Sequence, residues 1–429
     1  MLNRPLITLG KTLSKASQLM NRGNGSTWPG HIALQANKQF VKQILAKSPT
    51  QVIIVAGTNG KTTTASMIAH ALQKQGRKVL QNDSGANLLN GIASTILLNT
   101  NKHGRITHDY AVFEVDENAL PQVLQQMHPD YVVLLNLFRD QLDRYGEINA
   151  ITSKWNRAIA SLTKKTKLIL NADDPQIAYL AHAMEYQTNA KYFAVQGDEE
   201  KKPSADAADA LSCPRCGEPL IFMSLTFSHL GNWTCKSCQF SHPKPAIDAF
   251  PEYPLSGLYN RYNTHATALV LKEAGLKPNQ IEQSLRTFKP AFGRQELVQY
   301  KNRNVQLFLS KNPTSFNQSF ATIKDLKART LLIVLNDRIP DGRDVSWIWD
   351  TDLSGIDQFE RIIVAGDRVY DMALRIKYEN YAKIETFEKI EDAVEEGVKS
   401  VTASETLFIL PTYSAMLEVR KILTGKKIL

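Results

Sequence analysis

At 429 residues, 43% of them hydrophobic, the chain is long enough for two or three domains with real cores. It has no run of roughly 18 or more uncharged apolar residues, and its front end lacks the continuous apolar stretch and small-residue cleavage site of a secretory signal. A spanning helix and export are therefore excluded, and a cytoplasmic location is expected. The net charge of +9 is uneven: Met1 to Asn82 carries eleven basic residues and no acidic one.

Residues 1–48 form a basic N-terminal segment. Its charge suits anionic lipid, nucleic acid or a nucleotide site, and equally an ordinary solvated surface. No clear apolar stripe runs along it, so only a peripheral contact with the membrane surface is expected. The apolar stretch Val52 to Ala56 then reads as a strand, Gly57-Thr58-Asn59-Gly60-Lys61-Thr62-Thr63-Thr64 as a tight turn, and Ala65 to Gln73 as a helix. That order makes a phosphate cradle. Glycines let backbone approach a polyanion, the amides and positive helix end face it, Lys61 neutralises it, and a Thr hydroxyl can reach a metal. The strict Walker spacing would need glycine at position 55, which is Val55, so the loop is a shortened variant; a chance glycine-rich turn is the competing reading.

Strands are expected at Ala111 to Val115, Tyr131 to Leu135 and Lys167 to Leu170, and helices at Asn118 to Met127 and Ala150 to Thr163. Alternating strands and helices imply an α/β fold with a parallel sheet whose ligands sit beyond the strand carboxyl ends. Polar residues gather at those ends. Glu114 interrupts an apolar strand, and a buried carboxylate demands a cation or a donor; magnesium opposite a triphosphate and a structural ion pair both satisfy it. Asn136 to Arg144 and Asn171-Ala172-Asp173-Asp174-Pro175 close the next two strands.

All four cysteines occur as Cys213-Pro-Arg-Cys216 and Cys235-Lys-Ser-Cys238. Paired knuckles at that separation predict a closed tetrahedral thiolate zinc site, structural because no coordination position is open. It staples an inserted ribbon at about residues 205–245. Disulfides would not persist in a reducing compartment, and no thiol remains for nucleophilic catalysis. Beyond about residue 300, strands are expected at Val305 to Leu309, Thr330 to Leu335, Arg361 to Ala365 and Thr406 to Leu410, with helices at Glu391 to Val401 and Tyr413 to Leu423. These suggest a second, smaller nucleotide-fold domain, with a hinge near Pro290 to Gln295.

Taken in order, G-T-N-G-K-T-T, the strand Glu114, Asn136 to Asp143, N-A-D-D-P, Gly257-Leu258-Tyr259-Asn260-Arg261-Tyr262-Asn263 and Phe292-Gly293-Arg294 resemble the Mur ligase family over residues 50 to 320. The resemblance implies a central P-loop-type ATP-binding domain at 49–295 and a Rossmann-like α/β C-terminal domain at 296–429. It implies ATP held by Gly57, Thr58, Asn59, Gly60, Lys61, Thr62, Thr63, Asn171, Asp173, Asn263 on adenine and Arg294 on phosphates. Mg2+ would sit on Thr62 and Glu114, with Lys61 and Glu114 catalytic, and Lys154 lies within about a residue of the family's carbamylated lysine. Gln141 replaces a metal-binding His, the first 50 residues are too short for a UDP-sugar domain, and Phe308-Leu309-Ser310-Lys311-Asn312-Pro313 lacks an acid that orients an incoming amino acid.

Those losses, the ribbon and the string Asn336 to Trp347 resemble the amidating branch of the family. Its members act with a GatD-type glutaminase subunit on lipid II. The resemblance implies ATP-dependent conversion of the D-glutamate α-carboxylate to D-isoglutamine through an acyl phosphate, with Asp344 reaching into the partner as the acid of its Cys-His-Asp triad. Two alternatives stay open: an amino-acid-adding ligase of the peptidoglycan or folylpolyglutamate kind, and a zinc-ribbon nucleic-acid binder. The second leaves Glu114, Asn171 to Pro175 and Arg294 without purpose, so no nucleic-acid partner is expected.

Overall fold

The computed structural model describes residues 3–19, 27–82, 85–139, 148–184, 189–197, 210–290 and 293–425. The expectations placed on Asp140 to Arg144, Gln141 included, lie outside those residues, as do Phe292 and the start of the ribbon insertion.

The first sheet contains β1 (Gln51–Ala56), β2 (Val79–Gln81), β3 (Tyr110–Val115), β4 (Tyr131–Leu134), β5 (Lys167–Asn171) and β6 (Ala190–Phe193), in the order β2-β3-β1-β4-β5-β6. All pairs are parallel. Buried on both faces, such strands read as continuous apolar runs, and Val52 to Ala56 are buried throughout. The period of two sorts β1 between two cores. Val52, Ile54 and Ala56 face one, while Ile53 and Val55 face the other, which also contains the helices Lys61–Lys74 and Leu258–Glu273.

The first core also takes in Ile7, Ala33, Phe40, Val41 and Ile44, so the described part of the basic front packs into the central domain. The helix Trp28–Ala36 crosses the helix Leu89–Asn99 closely: the Gly30 amide donates to Ser94 Oγ at 2.7 Å. A Cβ on Gly30 would lie 2.0 Å from the Asn90 carbonyl oxygen, so glycine is required by the approach. Among the described residues no helix is long and apolar enough to cross a membrane.

After β6 comes a two-stranded antiparallel hairpin of β7 (Ile221–Phe227) and β8 (Leu230–Thr234). The second sheet holds β9 (Arg294–Tyr300), β10 (Arg303–Phe308), β11 (Thr330–Val334), β12 (Arg361–Ala365), β13 (Ile384–Phe387) and β14 (Thr406–Pro411), ordered β13-β12-β11-β14-β10-β9. Only β9 runs antiparallel to its neighbour. The expected helices shift at their ends, two of them most. That of the phosphate loop begins at Lys61, directly after Gly60, and that expected at Ala150 to Thr163 is Ile148–Ile159. In the first case the left-handed Gly60, at φ 88°, turns the chain straight into the helix.

Candidate active site

Strand order reverses at β1, which exits into the phosphate loop, so the loop sits at the switch point where parallel sheets bind ligands. Gly57 (φ 143°) and Gly60 both have left-handed backbone. A Cβ on Gly60 would stand 2.2 Å from Asn263 Oδ1, which would fill the cradle. The Thr58 amide donates to the Asn136 carbonyl at 2.9 Å and the Asn59 amide to Asn136 Oδ1 at 2.9 Å, fixing the loop to the end of β4.

Lys61 is buried and its Nζ donates to the carbonyls of Gly57 at 2.5 Å and Thr58 at 3.0 Å and to Glu117 Oε2 at 2.9 Å. Glu117 was not singled out by sequence, yet it holds the lysine over the loop. Glu114 is buried and accepts from Thr62 Oγ1 at 2.6 Å, while its own amide donates to Asn82 Oδ1 at 2.9 Å. A carboxylate and a hydroxyl thus meet beside a phosphate cradle, a hard oxygen pair of the kind magnesium takes. Among the described residues Glu114 is in no ion pair; its neighbouring cation is Arg294. Lost hydration pulls the Arg294 guanidinium below its usual pKa, and the Glu114 carboxylate opposes that.

These groups line one cavity of about 230 Å³ between the two sheets. Thr58, Asn59, Gly60, Lys61, Thr62, Thr63, Glu114, Asn263 and Arg294 are all on its wall, together with Lys311 and Tyr413 from the second domain. The two domains also touch directly, through Asn312 Nδ2 donating to Asn59 Oδ1 at 3.3 Å. Phe308, which stands where the resemblance expects an acid, is on the same wall.

Of the nucleotide-binding residues the resemblance implies, Gly57, Asn171 and Asp173 do not line the cavity. Asn171 is fully buried and donates to the Leu135 carbonyl at 2.9 Å. Asp173 accepts from the Tyr262 hydroxyl at 2.6 Å and from the Val195 amide at 2.9 Å, and lies 2.7 Å from His242 Nε2. It ties the ribbon to the sheet. Asp174 caps the helix Pro175–Tyr179, accepting from the amides of Gln176 and Ile177. Lys154 is exposed and off the cavity wall.

The two aspartates of D-G-R-D part company. Asp341 is buried, accepts from the Ser414 amide at 2.8 Å and bonds the Ser414 hydroxyl, while desolvation raises its carboxyl pKa. Asp344 is exposed and accepts from the Ser346 amide at 2.8 Å. Its hydrogen bonds with Ser346 hold its carboxyl below the usual range. One acid anchors the loop and the other is presented to solvent.

The four cysteine sulfurs all lie within 4.8 Å of one another, with Cys213 to Cys238 at 3.6 Å and Cys216 to Cys235 at 3.5 Å. These are close to the edges of about 3.8 Å in a tetrahedron with Zn–S bonds of roughly 2.3 Å. The backbone amide of Cys238 pulls the Cys235 thiol down, whereas burial pushes that of Cys213 up. Trp233 is buried against Phe240 at a ring-centroid distance of 4.9 Å and donates from Nε1 to the Ala172 carbonyl at 3.1 Å. Cys235→Ser is expected to lose stoichiometric zinc and to expose Trp233; elemental analysis and a red-shifted tryptophan emission would check it, and full zinc content would contradict it.

A parallel-sheet phosphate-loop domain joined to a second α/β domain, with the cavity between them, defines a Mur ligase. Residues 55–271 match the family model for the Mur ligase middle domain, and residues 309–416 match that for the MurT ligase C-terminal. The fold resembles a pseudomurein peptide ligase type C from Methanothermus fervidus, with TM-score 0.65 and 20% identity over 88% of this chain and 79% of that one. It also resembles a MurF ligase from Thermotoga maritima in complex with ADP, with TM-score 0.63 and 14% identity over 92% and 83%. Among curated proteins, the MurT subunit of lipid II isoglutaminyl synthase (glutamine-hydrolyzing) from Staphylococcus aureus is 31% identical over 86% of each chain. That from Streptococcus pneumoniae is 32% identical over 98% of each. The chain belongs to the MurT family of Mur ligases.

Proposed function

We propose that this chain is the synthetase subunit of a lipid II isoglutaminyl synthase, amidating the D-glutamate α-carboxylate of the stem peptide to D-isoglutamine with ammonia from a GatD-type glutaminase. A carboxylate is too electron-rich to accept ammonia, so it must first be activated. ATP supplies a γ-phosphoryl group, the carboxylate oxygen attacks it to give an acyl phosphate, and ammonia then displaces phosphate. Lys61 and the amides of residues 57 to 62 would hold the phosphates. Thr62 and Glu114 would hold Mg2+, and Arg294, on the same wall, would offset charge on the transferring group.

The observation that carries the reading is the Lys61, Thr62 and Glu114 cluster in a cavity closed by a domain matching the MurT C-terminal model. With all four cysteines gathered around one point, no thiol is left to hydrolyse glutamine, which supports a separate glutaminase. A lipid-linked acceptor and the acid-free basic front support peripheral contact with the cytoplasmic membrane face. Incubation of the chain with lipid II, ATP, magnesium and ammonium should give a product whose mass reports replacement of hydroxyl by amine. Incorporation of an amino acid instead would overturn the proposal in favour of an amino-acid-adding ligase.

A further inference from the structure

We propose that the tip of the four-cysteine hairpin is the base-binding wall of the nucleotide cavity, with Phe227 the ring on which the purine stacks. This rests on reading the cavity as an ATP site and adds what recognises the base.

The phosphate-binding groups leave the apolar lining of the cavity without a role, and the part of it that the central domain supplies includes Phe138, Phe227, Leu255 and Tyr262. Three of these form one aromatic cluster. Phe138 and Phe227 stack with centroids 6.0 Å apart and planes 23° apart, and Phe227 meets Tyr262 edge-on at 5.7 Å and 89°. Phe138 and Tyr262 are each 3% exposed, whereas Phe227 keeps accessible surface facing the cavity. The cluster is tied to the phosphate loop, since the Phe138 amide donates to Thr58 Oγ1 at 3.0 Å. Asn260 and Asn263, joined by a hydrogen bond of 2.9 Å from Asn263 Nδ2 to Asn260 Oδ1, stand on the same wall as a polar edge beside these rings. A flat heteroaromatic ring is the part of a nucleotide that such a surface fits.

Phe227 reaches this position because the hairpin is clamped elsewhere. It pairs with Leu230 at the turn, where Ser228 is left-handed (φ 51°) and the buried His229 ring lies 4.9 Å from Phe138. Toward the other end, Ile221 pairs with Thr234, next to Cys235. Between the two, the Gly231 amide donates to the Asp173 carbonyl at 3.1 Å and Trp233 to that of Ala172, so the hairpin is registered on the central sheet. The thiolate cluster thus holds the base of a lever whose tip is in the cavity.

The test is calorimetry on the zinc-replete full chain with two probes, a non-hydrolysable ATP analogue and inorganic tripolyphosphate. Phe227→Ala is expected to weaken the ATP analogue about tenfold or more, the loss typical of a deleted base-stacking ring, and to leave tripolyphosphate unchanged. Phe227→Trp should restore the analogue. Undiminished analogue binding by Phe227→Ala would overturn the proposal, as would equal losses on both probes, which would place the effect on the phosphate loop. A wild-type chain that binds neither probe would overturn the ATP reading itself, a separate result.

Discussion

Lys61→Met is expected to lower ATP-dependent product formation by at least about 10²–10³-fold, the range for deleting a group that stabilises developing charge, and also to weaken the fold. The two effects have different origins. Activity falls because a cation is removed from the phosphate cradle, whereas stability falls because Glu117, 2% exposed, loses its ion-pair partner at 2.9 Å. Breaking a buried pair from one side costs about 3–5 kcal/mol. The double variant Lys61→Met/Glu117→Gln separates them: urea unfolding should show stability largely recovered, while turnover stays lost. Near-normal turnover by the single variant would remove Lys61 from the mechanism.

With its glutaminase partner present, Asp344→Asn is expected to lower glutamine-dependent amidation by about 10³–10⁴-fold, the scale seen when a triad acid is made neutral. The rate with free ammonium should not change. The substitution is well suited to the question, since among the described residues Asp344 bonds with Ser346 in a local turn, and an asparagine Oδ1 accepts from that amide equally well. The exposed side chain packs against no core, so an unfolded variant is not the expected outcome. Parallel losses with glutamine and with ammonium would place Asp344 in the synthetase reaction and sink the assignment.

The parts of this site that were legible in the sequence are those where one residue type alone can do the task. Gly57 and Gly60 occupy left-handed backbone, and the paired cysteines have the spacing of a thiolate knuckle. The buried strands β1, β3, β4 and β5 were visible as apolar runs because parallel strands bury both faces. Six strands, β2, β6, β7, β8, β9 and β13, escaped notice, three of them plainly for the converse reason. β2 has three residues, and β9 and β13 alternate or leave most side chains partly open, so no apolar run marks them. Asn171 and Asp173 show the limit of motif reading. Their motif does mark a strand end beside the loop, but only coordinates reveal that both side chains turn into the protein. Phe227 was unreadable because its partner Phe138 lies across an insertion, and nothing in the spacing joins them.

The hydrogen bond from Asn312 to Asn59 joins residues 253 positions apart, and the cavity wall runs from Thr58 to Tyr413. A nascent chain therefore carries its phosphate loop out of the ribosome long before the remaining walls exist. On the proposed function, the power to spend ATP would be among the last properties it acquires, and an unfinished polypeptide would be spared futile turnover by its connectivity alone.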